Sequence, residues 1–124
     1  MPKTILVADD EPYVLRSLEF ILKKEGYRVL TAIDGQEALE KIQEERPDLV
    51  FLDIQMPRMD GNTVCQNLRR DPATRDLHII MITAKGQEAD RLQALESGAD
   101  EFVTKPYSPR KLVDRVREIL GPSA

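Results

Sequence analysis

Residues 49–61 read Leu49-Val50-Phe51-Leu52-Asp53-Ile54-Gln55-Met56-Pro57-Arg58-Met59-Asp60-Gly61. The first four are apolar without a break, as suits a short strand covered on both faces. A carboxylate stands where that strand ends, and a loop punctuated by Pro57 and Gly61 follows. The pattern recurs along the chain. Ile5-Leu6-Val7-Ala8 precedes Asp9-Asp10, Ile79-Ile80-Met81-Ile82 precedes Thr83, and Phe102-Val103-Thr104 precedes Lys105. If these runs are parallel strands, their carboxyl ends share one edge of the sheet, where open α/β folds bind ligands. Residues scattered over the sequence would then meet in space.

Between the apolar runs lie segments of helical period. The first spans roughly Glu11 to Glu25, with Pro12 in its first turn and Val14, Leu15, Leu18, Ile21 and Leu22 on one face; Gly26 ends it. The second has Asp34 as N-cap and Glu37 at capping-box spacing, an inner face of Ala38, Leu39 and Ile42, and Pro47 as its stop. The third, about Asn62 to Arg70, carries Val64, Cys65 and Leu68. The fourth, about Gln87 to Ser97, is expected to bury Leu92 and Leu95 and to end at Gly98. The fifth begins with Ser108 as cap and Pro109, shows an inner stripe of Leu112, Val113, Val116, Ile119 and Leu120, and closes at Gly121-Pro122.

Runs one, three and four are almost wholly apolar, whereas Tyr27–Ala32 includes Arg28 and Thr31, and the fifth run includes Glu101 and Thr104. The polar pair suits sheet edges. Right-handed strand–helix–strand crossovers then lead to a doubly wound α/β fold of five parallel strands in the order 2-1-3-4-5. The winding reverses between strands one and three, so the crevice should open between Asp10 and Asp53.

A chain of 124 residues is expected to form one domain over residues 1–124, with 121–124 as a tail or linker stub. A net charge of −4 argues against direct binding to nucleic acid or to a membrane surface, since both are anionic. No apolar stretch approaches the roughly 18–20 residues of a membrane span. The first strand begins too early to leave space for a signal peptide, and the single Cys65 suits a reducing cytoplasm.

Gathering Asp9, Asp10 and Asp53 at one crevice is costly. Two unit charges about 5 Å apart repel by about 3 kcal/mol at an effective dielectric of 20. A hard cation with oxygen ligands is the natural offset, and Mg²⁺ takes carboxylates, waters and phosphate oxygens. Lys105 would supply a second positive charge. Standing alone, Asp9-Asp10 would be read as well as helix-capping acids; Asp53 and Lys105 at matching strand ends weigh against that.

At this point the chain resembles the response-regulator receiver family, the phosphoacceptor domains of two-component signalling. The resemblance runs from about Thr4 to Leu120. It rests on Val7-Ala8-Asp9-Asp10-Glu11-Pro12, Leu52-Asp53 through Gly61, Thr83-Ala84 and Lys105-Pro106, in order and at strand ends. It implies a flavodoxin-like receiver fold and a Mg²⁺-dependent transfer of a phosphoryl group to Asp53 from a sensor histidine kinase or a histidine phosphotransfer protein. By the same resemblance Asp10 binds the metal directly, Asp9 mainly through water, and the backbone carbonyl of Gln55 completes the protein ligands. Lys105 and the Thr83 hydroxyl would hold phosphoryl oxygens, Thr83 and Phe102 would act as the switch, and the peptide bond before Pro106 would be cis. The readout surface would be helix four, strand five and helix five, acting on a downstream effector or on an output domain absent from this chain. The resemblance also allows a phosphorylation-dependent homodimer through that surface.

Two other readings compete. A haloacid-dehalogenase-type phosphatase also uses an Asp nucleophile with Mg²⁺, but wants a second Asp two residues later, where this chain has Gln55 and no cap insertion. A flavin carrier would need a Ser/Thr/Gly loop after strand one, and Asp9-Asp10-Glu11 would repel its phosphate. Gln55 and Lys85 are expected at the crevice mouth, where the resemblance implies that such residues influence hydrolysis of the phosphoryl group. Cys65 reads as core. His78 has no carboxylate or cysteine at ligand spacing. Arg110, Lys111, Arg115 and Arg117 read as a solvated face.

Overall fold

The structure, a computed structural model, describes residues 2–84, 88–105 and 107–121. Strands β1 (Thr4–Ala8), β2 (Arg28–Ala32), β3 (Leu49–Asp53), β4 (His78–Ala84) and β5 (Glu101–Lys105) alternate with helices α1 (Pro12–Lys24), α2 (Gly35–Glu45), α3 (Gly61–Arg70), α4 (Glu88–Glu96) and α5 (Pro109–Leu120). All neighbouring strands pair in parallel, in the order β2-β1-β3-β4-β5. The topology is the expected one, and the polar strands are the edges.

Strand alternation divides the core. Leu6, Ala8, Val50, Leu52, Ile79 and Met81 face Ala38, Ile42, Val64, Cys65 and Leu68 of α2 and α3. Ile5, Val7, Leu49, Phe51, Ile80 and Ile82 face Leu15, Leu18 and Leu22 of α1 and Leu112, Val113 and Val116 of α5. A side-chain period of two sends successive residues to opposite faces, so a continuously apolar strand feeds both layers. Every residue of β1 and β3 is buried. These two central strands therefore deliver Asp9 and Asp53 from rigid supports.

Helix ends follow local chemistry. Asp34 Oδ1 accepts from Glu37 N at 2.8 Å, while the Glu37 carboxylate reaches back to Ile33 N at 2.7 Å, one residue before the cap. Arg46 ends α2 in the left-handed region, at φ 49°, ahead of Pro47. Asp60 caps α3 through Thr63 N at 2.8 Å, so α3 starts at Gly61, one residue earlier than the sequence implied.

Helix α4 departs from expectation. Leu92 and Leu95 are 53% and 43% exposed, and the inward line is Ala94 and Ser97. Ser97 Oγ contacts Asn62 Oδ1 of α3 at 3.1 Å and donates to Ala94 O at 2.8 Å. Ala94 joins the core layer beside β4 and β5, and the two leucines lie outside that contact. The expected first residue of the helix, Gln87, lies outside the described residues.

Gly61 is a close-approach glycine. A Cβ there would lie 2.4 Å from the carbonyl oxygen of Asp53, and Gly61 N donates to Ile54 O at 2.9 Å. Gly61→Ala is therefore expected to push the backbone that carries Asp53, at a cost of about 2 kcal/mol in urea unfolding.

Candidate functional site

The loop after β1 runs directly into α1, and the loop after β3 turns at Pro57–Gly61, so both strand ends face the same crevice. Asp9 is fully buried. Its Oδ1 accepts from Glu11 N at 2.9 Å. Its Oδ2 lies 3.1 Å from Lys105 Nζ but receives no directed hydrogen bond, leaving a buried carboxylate oxygen with only a charge contact. Asp10 is exposed at the mouth of an open cleft of about 590 Å³ that Gln55, Met56, Asp60 and Gln93 also line.

Asp53 is 7% exposed. Its Oδ1 accepts from Gln55 N at 3.1 Å and its Oδ2 from Lys105 Nζ at 3.1 Å. Burial, then the nearby Asp9 charge, pushes its carboxyl up to about 6, against the opposing pull of Lys105. Lys105 extends from the end of β5. Burial disfavours its charged form, but hydrogen bonds to Glu11 and Asp53 and the close Asp9 carboxylate outweigh that and raise its pKa. Glu11 Oε1 is 2.9 Å from Lys105 Nζ. Its carboxyl is held below the usual range, first by Lys105 and then by Tyr13.

One oxygen from each of Asp9, Asp10, Glu11 and Asp53 lies within 4.8 Å of the others. Four carboxylates thus gather where a single ammonium group contacts three of them, and the negative charge is not offset locally. Oxygen-only donors and an orphaned buried carboxylate oxygen suit a hard divalent cation. The cluster could hold a metal ion.

Thr83 is 1% exposed, and its hydroxyl donates to Val103 O of the neighbouring strand at a long 3.4 Å. Phe102 is partly buried against the core layer of α2 and α3. Pro106 and Lys85 lie outside the described residues. Tyr107, on the far side of Lys105, has its hydroxyl pushed up to about 12 by burial and by Asp9.

Four partnerships lie beyond what sequence spacing shows. Glu11 reads as a helix start, yet it is a partner of Lys105; the signal in the sequence is its place in the acidic run ending at Pro12. His78 does have a carboxylate partner, since its Nε2 lies 2.6 Å from Glu101 Oε2. Arg115 also grips Glu101 through two hydrogen bonds of 2.6 and 2.7 Å and holds its carboxyl below the usual range. Arg117 pairs with Glu25. The basic face of α5 is exposed, as expected, but two of its arginines are paired: the facing partners come from β5 and from the end of α1, too far away in sequence for spacing to show. Cys65 is buried, as expected.

Several known proteins share this arrangement of chain. Over 120 residues, 97% of this chain and 49% of its own length, PhoP of Bacillus subtilis (strain 168), the alkaline phosphatase synthesis transcriptional regulatory protein, is 47% identical. The crystal structure of a putative response regulator from Chloroflexus aurantiacus J-10-fl superposes with a TM-score of 0.92 at 39% identity, covering 97% of this chain and 98% of that one. The receiver domain of sensor histidine kinase PA1611 from Pseudomonas aeruginosa PAO1, which has a magnesium ion in its active site cleft, superposes at 0.89 with 27% identity, over 98% of this chain and 99% of that one. The chain spans about half the length of the curated relatives it matches. No described helix is long and apolar enough to cross a membrane. With the family model matching residues 5–117 and such relatives along nearly the whole chain, the protein belongs to the response regulator receiver domains.

Proposed function

We propose that Asp53 accepts a phosphoryl group from a phosphohistidine on a sensor kinase or histidine phosphotransfer protein in the cytoplasm. The observation that carries this reading is the Asp53 carboxylate held between Lys105 Nζ, at 3.1 Å, and a cluster of three further acids. An Asp53 oxygen attacks phosphorus, the nitrogen–phosphorus bond of the donor breaks, and the freed imidazole takes up a proton. Catalysis of such a transfer is mostly positioning and charge neutralisation. Lys105 neutralises one phosphoryl oxygen. The Gln55 N–H holds the second Asp53 oxygen in place. Thr83 leaves its long bond to Val103 O to donate to another phosphoryl oxygen.

Asp10, Asp53 and the Gln55 carbonyl would hold Mg²⁺, with Asp9 acting mainly through water. When bound, the ion supplies positive charge that draws the donor in and lowers repulsion among the acids. The switch then passes through Thr83 and Phe102 to the face of α4, β5 and α5, where an effector, an output domain or a second copy would read it. Phosphorylation acts here by favouring one of two states. The domain turns over no separate substrate.

Millimolar Mg²⁺ is expected to raise the melting temperature, because an ion that binds only the folded chain stabilises it by mass action. Asp10→Asn should abolish the response and leave the metal-free protein no less stable, since repulsion falls. Identical melting curves with and without Mg²⁺ in the wild type would count against this metal site. The function itself is tested by a phosphotransfer profile against candidate histidine kinases, with labelled phosphate followed onto Asp53.

A further inference from the structure

We propose that Glu11 is a positioning residue that occupies Lys105 in the unphosphorylated protein and must release it for the phosphoryl group to be bound. This rests on Asp53 being the phosphoacceptor. An ammonium group has three N–H donors. Here Nζ faces three carboxylate oxygens, Glu11 Oε1 at 2.9 Å, Asp9 Oδ2 at 3.1 Å and Asp53 Oδ2 at 3.1 Å. Glu11 and Asp53 take directed hydrogen bonds, and the Asp9 Oδ2 charge contact closes the remaining side of the ammonium group. A phosphoryl oxygen arriving on Asp53 therefore has to displace one of these acceptors.

Glu11 is the one that can leave. Asp9 is fully buried, with its other oxygen tied to Glu11 N, so swinging it away would move a charge through the core. The Asp53 carboxylate is anchored by Gln55 N and is itself the group being modified. The Glu11 side chain is 41% exposed. It borders a cavity of about 390 Å³ that Tyr13, Ser17, Lys105 and Tyr107 also line, which gives its carboxylate a hydrated place to go. Release exchanges one ion pair for another with a more highly charged partner. Glu11 thereby sets how readily Lys105 becomes available, and so the threshold for modification by a weak donor.

The test uses beryllofluoride as the phosphoryl mimic, titrated calorimetrically in saturating Mg²⁺ against the wild type, Glu11→Gln and Glu11→Asp. Glu11→Asp keeps the charge but shortens the reach by about 1.5 Å, whereas Glu11→Gln keeps the reach without the charge. Both variants should bind beryllofluoride about fivefold more tightly, the upper range for losing a partly exposed ion pair. The Lys105 side-chain NMR signals of the mimic-free protein should shift in both. Tighter binding by Glu11→Gln only, with Glu11→Asp matching the wild type, would make Glu11 a general source of repulsion and overturn the tether. Unchanged or weaker binding in both, or tighter binding by Glu11→Asp only, would overturn it as well. Wild type that fails to bind beryllofluoride would instead reject Asp53 as acceptor, and this inference with it.

Discussion

Asp53→Ala is expected to abolish labelling by acetyl phosphate and binding of beryllofluoride, a loss of at least about a hundredfold. Among the described residues, no neighbouring acid is placed to take over. Asp9 is sealed in the core with its Oδ1 committed to Glu11 N, and Glu11 is held to Lys105. Asp10 is exposed, away from the ammonium group that would neutralise a phosphoryl oxygen, since the Lys105 contacts go to Asp9, Glu11 and Asp53. Asp53 joins a backbone N–H on one oxygen and a directed Lys105 hydrogen bond on the other to a carboxylate that still reaches solvent, whereas the similarly tethered Asp9 is fully buried. Intact-mass measurement after treatment with acetyl phosphate reads the result directly. A phosphorylated adduct that persists at wild-type level in Asp53→Ala would remove Asp53 from the role.

The second large effect is on stability. In the absence of divalent ions, Asp53→Asn should stabilise the protein by up to about 3 kcal/mol at pH 8, the equivalent of about two pKa units. The Asp53 side chain is only 10% exposed, so solvent screening takes little from that figure. The sign follows from a folded-state pKa of about 6 against an ordinary 3.8. Below about pH 4 the folded and unfolded chains both carry the proton, and the substitution makes little difference. Between about pH 4 and 6 the unfolded chain releases it first, so wild type loses stability as pH rises; the asparagine variant, which cannot ionise, does not. The gap should open through that window and stay level above about pH 7. Thermal melts of both proteins from pH 4 to 8 in chelator would show it, at about 10 °C when fully open. A gap that is constant with pH would mean that Asp53 ionises in the fold as easily as in the unfolded chain. Added Mg²⁺ should narrow the gap at high pH, because a bound cation offsets the repulsion from Asp9 that helps raise the Asp53 carboxyl.

Much of this was readable in the chain itself. Uninterrupted apolar runs such as Leu49–Leu52 and Ile79–Ile82 identify strands covered on both sides, and the run–helix alternation leaves few ways to arrange them. The position of Asp9, Asp10, Asp53 and Lys105 after such runs is enough to bring them to one edge, because a parallel sheet aligns its carboxyl ends whatever the loops do. The helix caps at Asp34, Asp60 and Ser108 are equally local, each a side-chain oxygen meeting an N–H three residues on.

Other features depend on which surfaces come into contact, and periodicity carries no information about that. The leucine pair of α4 has helical spacing, yet the buried side chains there are Ala94, in the core, and Ser97, bonded to Asn62. His78, Glu101 and Arg115 lie far apart in sequence and meet because β4, β5 and α5 are neighbours in space. Glu11 is the clearest case. Its residue type and place announce a helix start, but its partnership with Lys105 spans 94 positions and exists only because the ends of β1 and β5 flank one pocket. Local pattern thus determined the strands, the helices and the edge on which the chemistry sits. The folded geometry decided how a single ammonium group is divided among three acids, since that depends on distances of about 3 Å set by packing across the sheet.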